Sequence, residues 1–330
     1  MKLIKNTLAL AICSVIALPT FAAKFDVGSD TNLEIYGRAD VSMQSSDDGL
    51  GGDSDGEGSF TEIKSNASRI GFKGDHKLND DLKVVFKIEF QVDLDGDSEK
   101  GNSITDRNQY VGLKGGFGEV LLGINDTVLK QSQGKVDLFS DLEGDIKVLW
   151  KGENRMSDTL TYKSPKFNGF QLGLTYVAED SAENSAEDGM SAAVFYGDKK
   201  LKKSNIYAAI AVDSEVKGYD TVRATIQGKV AGVTLGAIYH TQEKSTDGSN
   251  EMDGLMVSAK YSIGAATLKG QYQIADYDQD DVTKTGMTAG VDYKLAKNTK
   301  LYAFYTSFDM DSDVSNSDRD YLAAGIQYKF

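Results

Sequence analysis

The chain has 330 residues and a formal net charge of −14, so nucleic acid is excluded as a partner by simple repulsion. After the first twenty-odd residues, no apolar run approaches the ~20 residues that a membrane-spanning helix requires. A mean hydropathy of −0.36 still leaves the membrane open, because spanning strands carry their apolar side chains at alternate positions and score as polar on average.

Taken in order, the chain opens with Lys2 and Lys5, an apolar run from Leu8 to Leu18, and the site Thr20-Phe21-Ala22 after Pro19. Residues 1–22 are therefore expected to be a secretory signal. Its removal takes the charge from −14 to about −16. Cys13 follows Ile12 inside the apolar run, so lipidation is not expected, and the exported chain keeps no cysteine. Such a protein is stabilised by something other than cross-links.

Leu33 to Met43 places Leu33, Ile35, Ala39 and Val41 on one side and Glu34, Tyr36, Arg38, Asp40 and Ser42 on the other, the pattern of a half-buried strand. The acidic, glycine-rich stretch that follows reads as an exposed loop over 47–62. Ser68 to Lys77 and Leu82 to Val92 alternate again across the turn Asn79-Asp80-Asp81. NQYVGLK (108–114) and GEVLLGIN (118–125) form a hairpin, and DTLTYK (158–163), FQLGLTYV (170–177) and nine further segments continue the pattern to Phe330. This gives roughly sixteen strands and no convincing helix.

Connections alternate in length. Tight ones such as 79–81, 115–118, 231–232, 264–265 and 296–298 gather at one end, and long acidic ones (47–62, 93–106, 179–189, 245–253, 276–281, 309–319) at the other. A soluble sandwich would not supply so many consecutive hairpins. The apolar face is often topped by Tyr or Phe, as at a lipid interface. An open sheet edge is intolerable in lipid, so the expected fold is all-β: a transmembrane antiparallel barrel over 23–330, too wide for side chains to fill. The stretch 127–156 alternates poorly and is too apolar for water at Val136, Leu138, Phe139, Leu142, Val148, Leu149 and Trp150. It is expected to pack inside the barrel, with Asp137, Asp141, Glu143 and Asp145 facing the remaining space.

At this point the residues resemble a known family. EIYGRADV (34–41), SRIGFKGD (68–75), RNQYVGLKGGFGEVLLG (107–123), RMSDTLTYKSPKFNGFQLGLTYV (155–177) and the terminal IQYKF, in this order and parity, are similar to the Gram-negative general porins over essentially the whole exported chain. The resemblance implies a homotrimeric outer-membrane barrel of sixteen strands that passes small polar solutes. It also implies an inward-folded third long loop whose carboxylates face a basic ladder on the wall. By position the ladder is Arg38, Arg69, Arg107 and Arg155, all placed on the polar face by alternation, with Asp137, Asp141 and Asp145 on the loop. Trp150 and Lys151, late in the loop, depart from the enteric members. Phe330 and Tyr328 resemble the family's insertion signal for the barrel-assembly machinery.

The physics supports this arrangement: guanidiniums facing carboxylates across a narrow wet gap create a transverse field that favours polar solutes. The same arginines can equally pin the loop by pairing with it. An acidic mouth implies weak cation preference, and bridging Mg²⁺ or Ca²⁺ between the loops and lipopolysaccharide. A surface anchor or adhesin and a substrate-specific channel are the alternatives; for the latter, no aromatic run or denser basic track is evident on the lumen parity. No cofactor, metal site or catalysis is expected. Asp93-Leu94-Asp95-Gly96-Asp97 starts like a calcium loop, but Ser98 and Ile104 stand where Gly and Glu are needed. Neither His76 nor His240 has an accompanying nucleophile motif.

Overall fold

A computed structural model describes residues 23–26, 28–47, 59–96, 103–178, 188–246, 248–279, 281–310 and 318–330. The leader and the loop acids Glu179, Asp180, Glu183 and Glu187 lie outside them. The strands in chain order are β1 (Ala23–Asp26), β2 (Thr31–Asp47), β3 (Ser59–Ser65), β4 (Arg69–Lys77), β5 (Leu82–Val92), β6 (Ile104–Gly115), β7 (Gly118–Asp126), β8 (Arg155–Lys163) and β9 (Phe170–Val177). They continue with β10 (Gly189–Gly197), β11 (Ile206–Ser214), β12 (Tyr219–Val230), β13 (Val233–Lys244), β14 (Met252–Ile263) and β15 (Ala266–Tyr277). The last three are β16 (Val282–Lys294), β17 (Thr299–Asp309) and β18 (Arg319–Lys329).

From β4 onward each strand pairs antiparallel with its successor, and β18 returns to β2, with Lys329 opposite Arg38. β3 and β4 both flank β2 on its other edge and act as one broken strand, so the closed barrel has sixteen strands. The seam is shared: β18 ends beside Gly37, where Phe330 exchanges both backbone hydrogen bonds (2.9 and 3.1 Å), and β1 continues the same edge opposite 32–35. Phe330 lies over Gly37, where a side chain would collide with its ring.

The period of two sorts the side chains inside out. Leu172, Leu174 and Tyr176 on β9 are exposed on the outer face, as are Val222 and Ile226 on β12. Gln44, Arg223 and Gln273, facing the lumen, are at most 1% exposed. Burying such groups requires partners, and the loop described below supplies many of them.

Three expectations change. Ser59–Ser65 is a strand, so the first acidic loop is shorter than 47–62. Its apolar residues Phe60 and Ile63 have opposite parity, which hid the strand from an alternation reading. The loop end also contains two short links, 215–218 between β11 and β12 and 278–281 between β15 and β16, the latter in place of the expected long connection 276–281. Finally, the long loop is not wholly irregular: it holds a five-residue helix, α1 (Val128–Ser132), capped by the Thr127 side chain accepting from the Lys130 amide, and a single 3₁₀ turn, Ile146–Val148.

Candidate functional site

The segment between β7 and β8 folds into the lumen and lines the inside of the wall. A loop buried in this way would carry orphaned backbone groups, a cost of order 1–3 kcal/mol each. Polar side chains on successive strands satisfy them instead. Ser191 accepts from the Leu129 amide (3.1 Å), the Tyr207 hydroxyl donates to the Ser132 carbonyl (2.9 Å), and the Gln227 amide donates to the Lys135 carbonyl (2.9 Å). Ser258 donates to the Val136 carbonyl (2.7 Å), and Gln271 accepts from the Leu138 amide while donating to the Gly144 carbonyl, both at 2.9 Å.

Apolar anchors alternate with these polar ones. α1 buries Val128 and Leu129 against Ala193 and Ala211, with Phe195 alongside. Val136, Ile146 and Trp150 pack with Ile238, Met252 and Met256, and Phe139 packs with Tyr302 and Phe304. Trp150 lies flat over Gly254, where an added Cβ would stand 2.7 Å from the indole. The indole stacks on His240 (5.0 Å, 1° between planes) and donates Nε1–H to the Ile274 carbonyl at 2.9 Å. Next to it Arg223 donates to Glu153 (2.6 Å) and to the Lys151 carbonyl (3.3 Å), clasping the outgoing limb. The departure at Trp150 and Lys151 is thus an anchoring point.

The expected loop carboxylates divide into two kinds. Asp141, at φ 70°, reaches the opposite wall and accepts from both Arg38 (2.9 Å) and Arg69 (2.8 Å). Burial would raise its carboxyl, but the Arg69 and Arg38 guanidiniums outweigh that and hold it well below the usual carboxylate range. Glu143 pairs with Lys64 and accepts from Gln44 (3.1 Å). Asp137 and Asp145 instead turn into the loop, correcting the expectation that they face open space. Asp137 accepts from the amides of Phe139 (2.9 Å) and Ile146 (3.3 Å), and Asp145 from those of Asp141 and Lys147, both at 2.9 Å. Burial, then the neighbouring Asp145, push the Asp137 carboxyl well up.

On the wall, Arg107 donates to Glu89 (2.9 Å) and Gln91 (3.1 Å), and Arg155 to Asn108 and Asp126, both at 3.0 Å. Simple alternation does not bring Arg107 to the lumen, since it shares parity with the exposed Val111 and Leu113. A bulge sets Arg107 and Asn108 together opposite Glu89 and turns the arginine inward, correcting the alternation count. Glu89, which sequence reasoning passed over, is the node of this wall: it also accepts from Tyr36 (2.7 Å) and pairs with Lys87 (3.2 Å). Its signal was the one acid on the lumen parity of β5, among Lys83, Val85, Lys87 and Gln91. Tyr328 and Phe330 stack at 6.0 Å on the outer face at the seam.

Among the described residues no hydrogen bond or ion pair ties the loop to β5 or β6. The loop therefore lines one side of the bore, from β10 round to β18 and on to its tip at β2–β4. Across the bore from it stands the wall that carries Lys87, Glu89 and Arg107, while Asp126 pairs with both loop Lys130 (3.5 Å) and Arg155 (3.0 Å).

A family model described as Gram-negative porin matches residues 7–330. A monosaccharide porin of a Halomonas species is 26% identical over 99% of this chain and 100% of its own length. Major outer membrane protein P.IB of Neisseria meningitidis serogroup B is 27% identical over 96% of this chain and 88% of its own. Among solved structures, an anion-selective porin from Comamonas acidovorans aligns with a TM-score of 0.79 at 19% identity, covering 91% of this chain and 100% of that one. Salmonella typhi OmpF in complex with daunomycin aligns at 0.72 and 20% identity, covering 93% and 100%. At these identities the two structures speak for the fold.

Proposed function

The chain belongs to the Gram-negative porin family of outer-membrane β-barrels, and from that premise we propose that it forms a water-filled channel for passive diffusion of small hydrophilic solutes and ions. The observation that carries this is the one-sided placement of the loop, which narrows the bore without tying itself to β5 or β6. Solutes then pass a wall of fixed ion pairs, Arg107 with Glu89 and Arg155 with Asp126. Such pairs orient water and penalise apolar molecules that cannot replace it. Contact pairing at Arg38, Arg69 and Asp141 supports a second role for those residues, holding the loop tip.

Export behind residues 1–22 and assembly as a homotrimer fit this reading, and an in-vitro folded OmpT of Vibrio cholerae is described in its trimer form. The Halomonas relative's name supports monosaccharides among the solutes. Swelling of proteoliposomes in sugars of graded size tests the proposal: the rate should fall steeply with solute size. Swelling no faster than in empty liposomes would leave the barrel as a surface anchor.

For ions, we propose an anion preference in place of the weak cation preference expected from the acidic mouth. The charges beside the passage are mostly paired, while the bore below the loop carries Lys135, Lys163, Lys260, Lys269, Lys300 and Lys329, of which Asp292 pairs with Lys269 and Lys300. A charge inside a bore is screened less than one at a rim. Zero-current potentials in a KCl gradient decide the sign, and potassium preference at low salt would refute this part.

A further inference from the structure

The sequence shows no denser basic track on any single strand, yet closing the barrel brings lysines from distant strands into one chamber under the loop. Lys260 on β14 lies directly opposite Lys269 on β15 in the strand register, and Lys300 on β17 and Lys329 on β18 continue round the wall. Lys199, in the turn after β10, closes the ring from the other side, near Lys163. Lys135 hangs from the loop above, its backbone fixed by Gln227 (2.9 Å).

Only part of this charge is neutralised. Asp292 pairs with Lys269 (3.0 Å) and Lys300 (2.9 Å). Among the described residues, Lys135, Lys199, Lys260 and Lys329 have no contact ion pair, and acids act on two of them from further off, Asp292 on Lys260 and Asp126 on Lys199. Lys135 is the common neighbour, close enough to repel each of the other three. Burial, then Lys163, Lys135 and Lys200, push the Lys199 ammonium down to about 8. Like charges gathered in a confined space are costly, and the cost disappears when a counter-charge sits among them. A multivalent oxyanion meets several ammonium groups at once, whereas chloride neutralises one at a time.

We propose that this chamber is a binding site for small multivalent oxyanions, phosphates and polycarboxylates, held between Lys135, Lys199, Lys260 and Lys329 at the turn end of the bore. The site rests on the channel reading above and adds to it a station at which such solutes pause. Because loop Lys135 forms its roof, the station lies immediately below the constriction.

The test is conductance through the purified channel in a planar bilayer at about 0.1 M KCl, where the Debye length is about 10 Å and the lysines are little screened. Pyrophosphate added at the turn end should reduce the KCl current saturably in the millimolar range or below, and acetate at equal ionic strength should not. The K135Q/K260Q/K329Q variant, with folding checked by heat-modifiable mobility, should need at least tenfold more pyrophosphate, and the matching lysine-to-arginine variant should restore the block. Raising the pH above 8 should weaken it as Lys199 loses its proton. A conducting wild-type channel indifferent to pyrophosphate, or equal block in the glutamine and arginine variants, would overturn the site and leave the channel reading intact. No conductance at all would instead overturn the channel reading.

Discussion

Replacing Trp150 by Ala tests whether the loop is held by discrete anchors. The indole is 1% exposed, stacks on His240, donates to the Ile274 carbonyl and covers Gly254. Truncating a buried Trp costs about 3–5 kcal/mol, and each of these contacts joins loop to wall, so the loss falls on docking and spares the strand ladder. About 4 kcal/mol corresponds to roughly a thousandfold in the docking equilibrium of the outgoing limb. The remaining anchors, Val136 and Phe139, keep the incoming limb in place. Trypsin offered to detergent-solubilised protein reports the change, because Lys147 and Lys151 flank the tryptophan: the wild type should resist cleavage there and W150A should be cut. Single-channel conductance should rise and become noisier. Gly254→Val, which fills the socket from the wall side, should reproduce both effects. A W150A channel with wild-type protease resistance and conductance would refute the anchoring argument.

Four other perturbations follow from the geometry. Asp141→Asn removes the acceptor shared by Arg38 and Arg69 and should move the zero-current potential further toward anions. Asp137→Asn should leave the potential unchanged and destabilise the loop by about 1–3 kcal/mol, since that carboxylate serves two loop amides; a potential that responds to Asp137 would show that it lines the path. The Asp141 carboxyl is depressed in the folded protein, so its contribution is present above the ordinary carboxylate range near 4 and lost only as the pH falls through the lower folded value. Wild-type conductance should therefore be the same at pH 5 and pH 7, and opening of the channel in that interval would contradict the pairing. Deleting Phe330 removes both hydrogen bonds to Gly37 and should leave unassembled protein in the periplasm, which the absence of a heat-modifiable band would report; normal assembly would dismiss the role of the seam.

The strands were legible because one face meets lipid and the other water, so alternation is enforced locally at every position. β3 escaped because Phe60 and Ile63 break parity, and Arg107 reaches the lumen through a bulge that belongs to the pairing of β5 with β6, not to β6 alone. The loop announced itself by an apolar content unsuited to water, but its docking was not readable, since each contact joins residues far apart in sequence: Trp150 with Gly254, Asp141 with Arg38 and Arg69. Polar lumen residues such as Gln227 and Gln271 looked like the lining of a wet pore and in fact hold loop carbonyls and amides. Asp137 and Asp145 were placed by the family resemblance, while their local use, taking up amides of the same loop, depends on how the chain turns at 137–147. The lysine chamber exists only once the cylinder is closed.

The one-sided docking of the loop also has a mechanical consequence. A barrel of this width has no filled core to keep its cross-section round, and lateral pressure from the bilayer tends to flatten it. From β10 to β18 the loop acts as a rib bonded to the inner wall, and its tip braces β2–β4. Among the described residues, β5 and β6 have no such bonds to the loop. Deformation therefore concentrates on the arc that carries Glu89 and Arg107, so the compliant part of the cylinder is also the part that borders the passage.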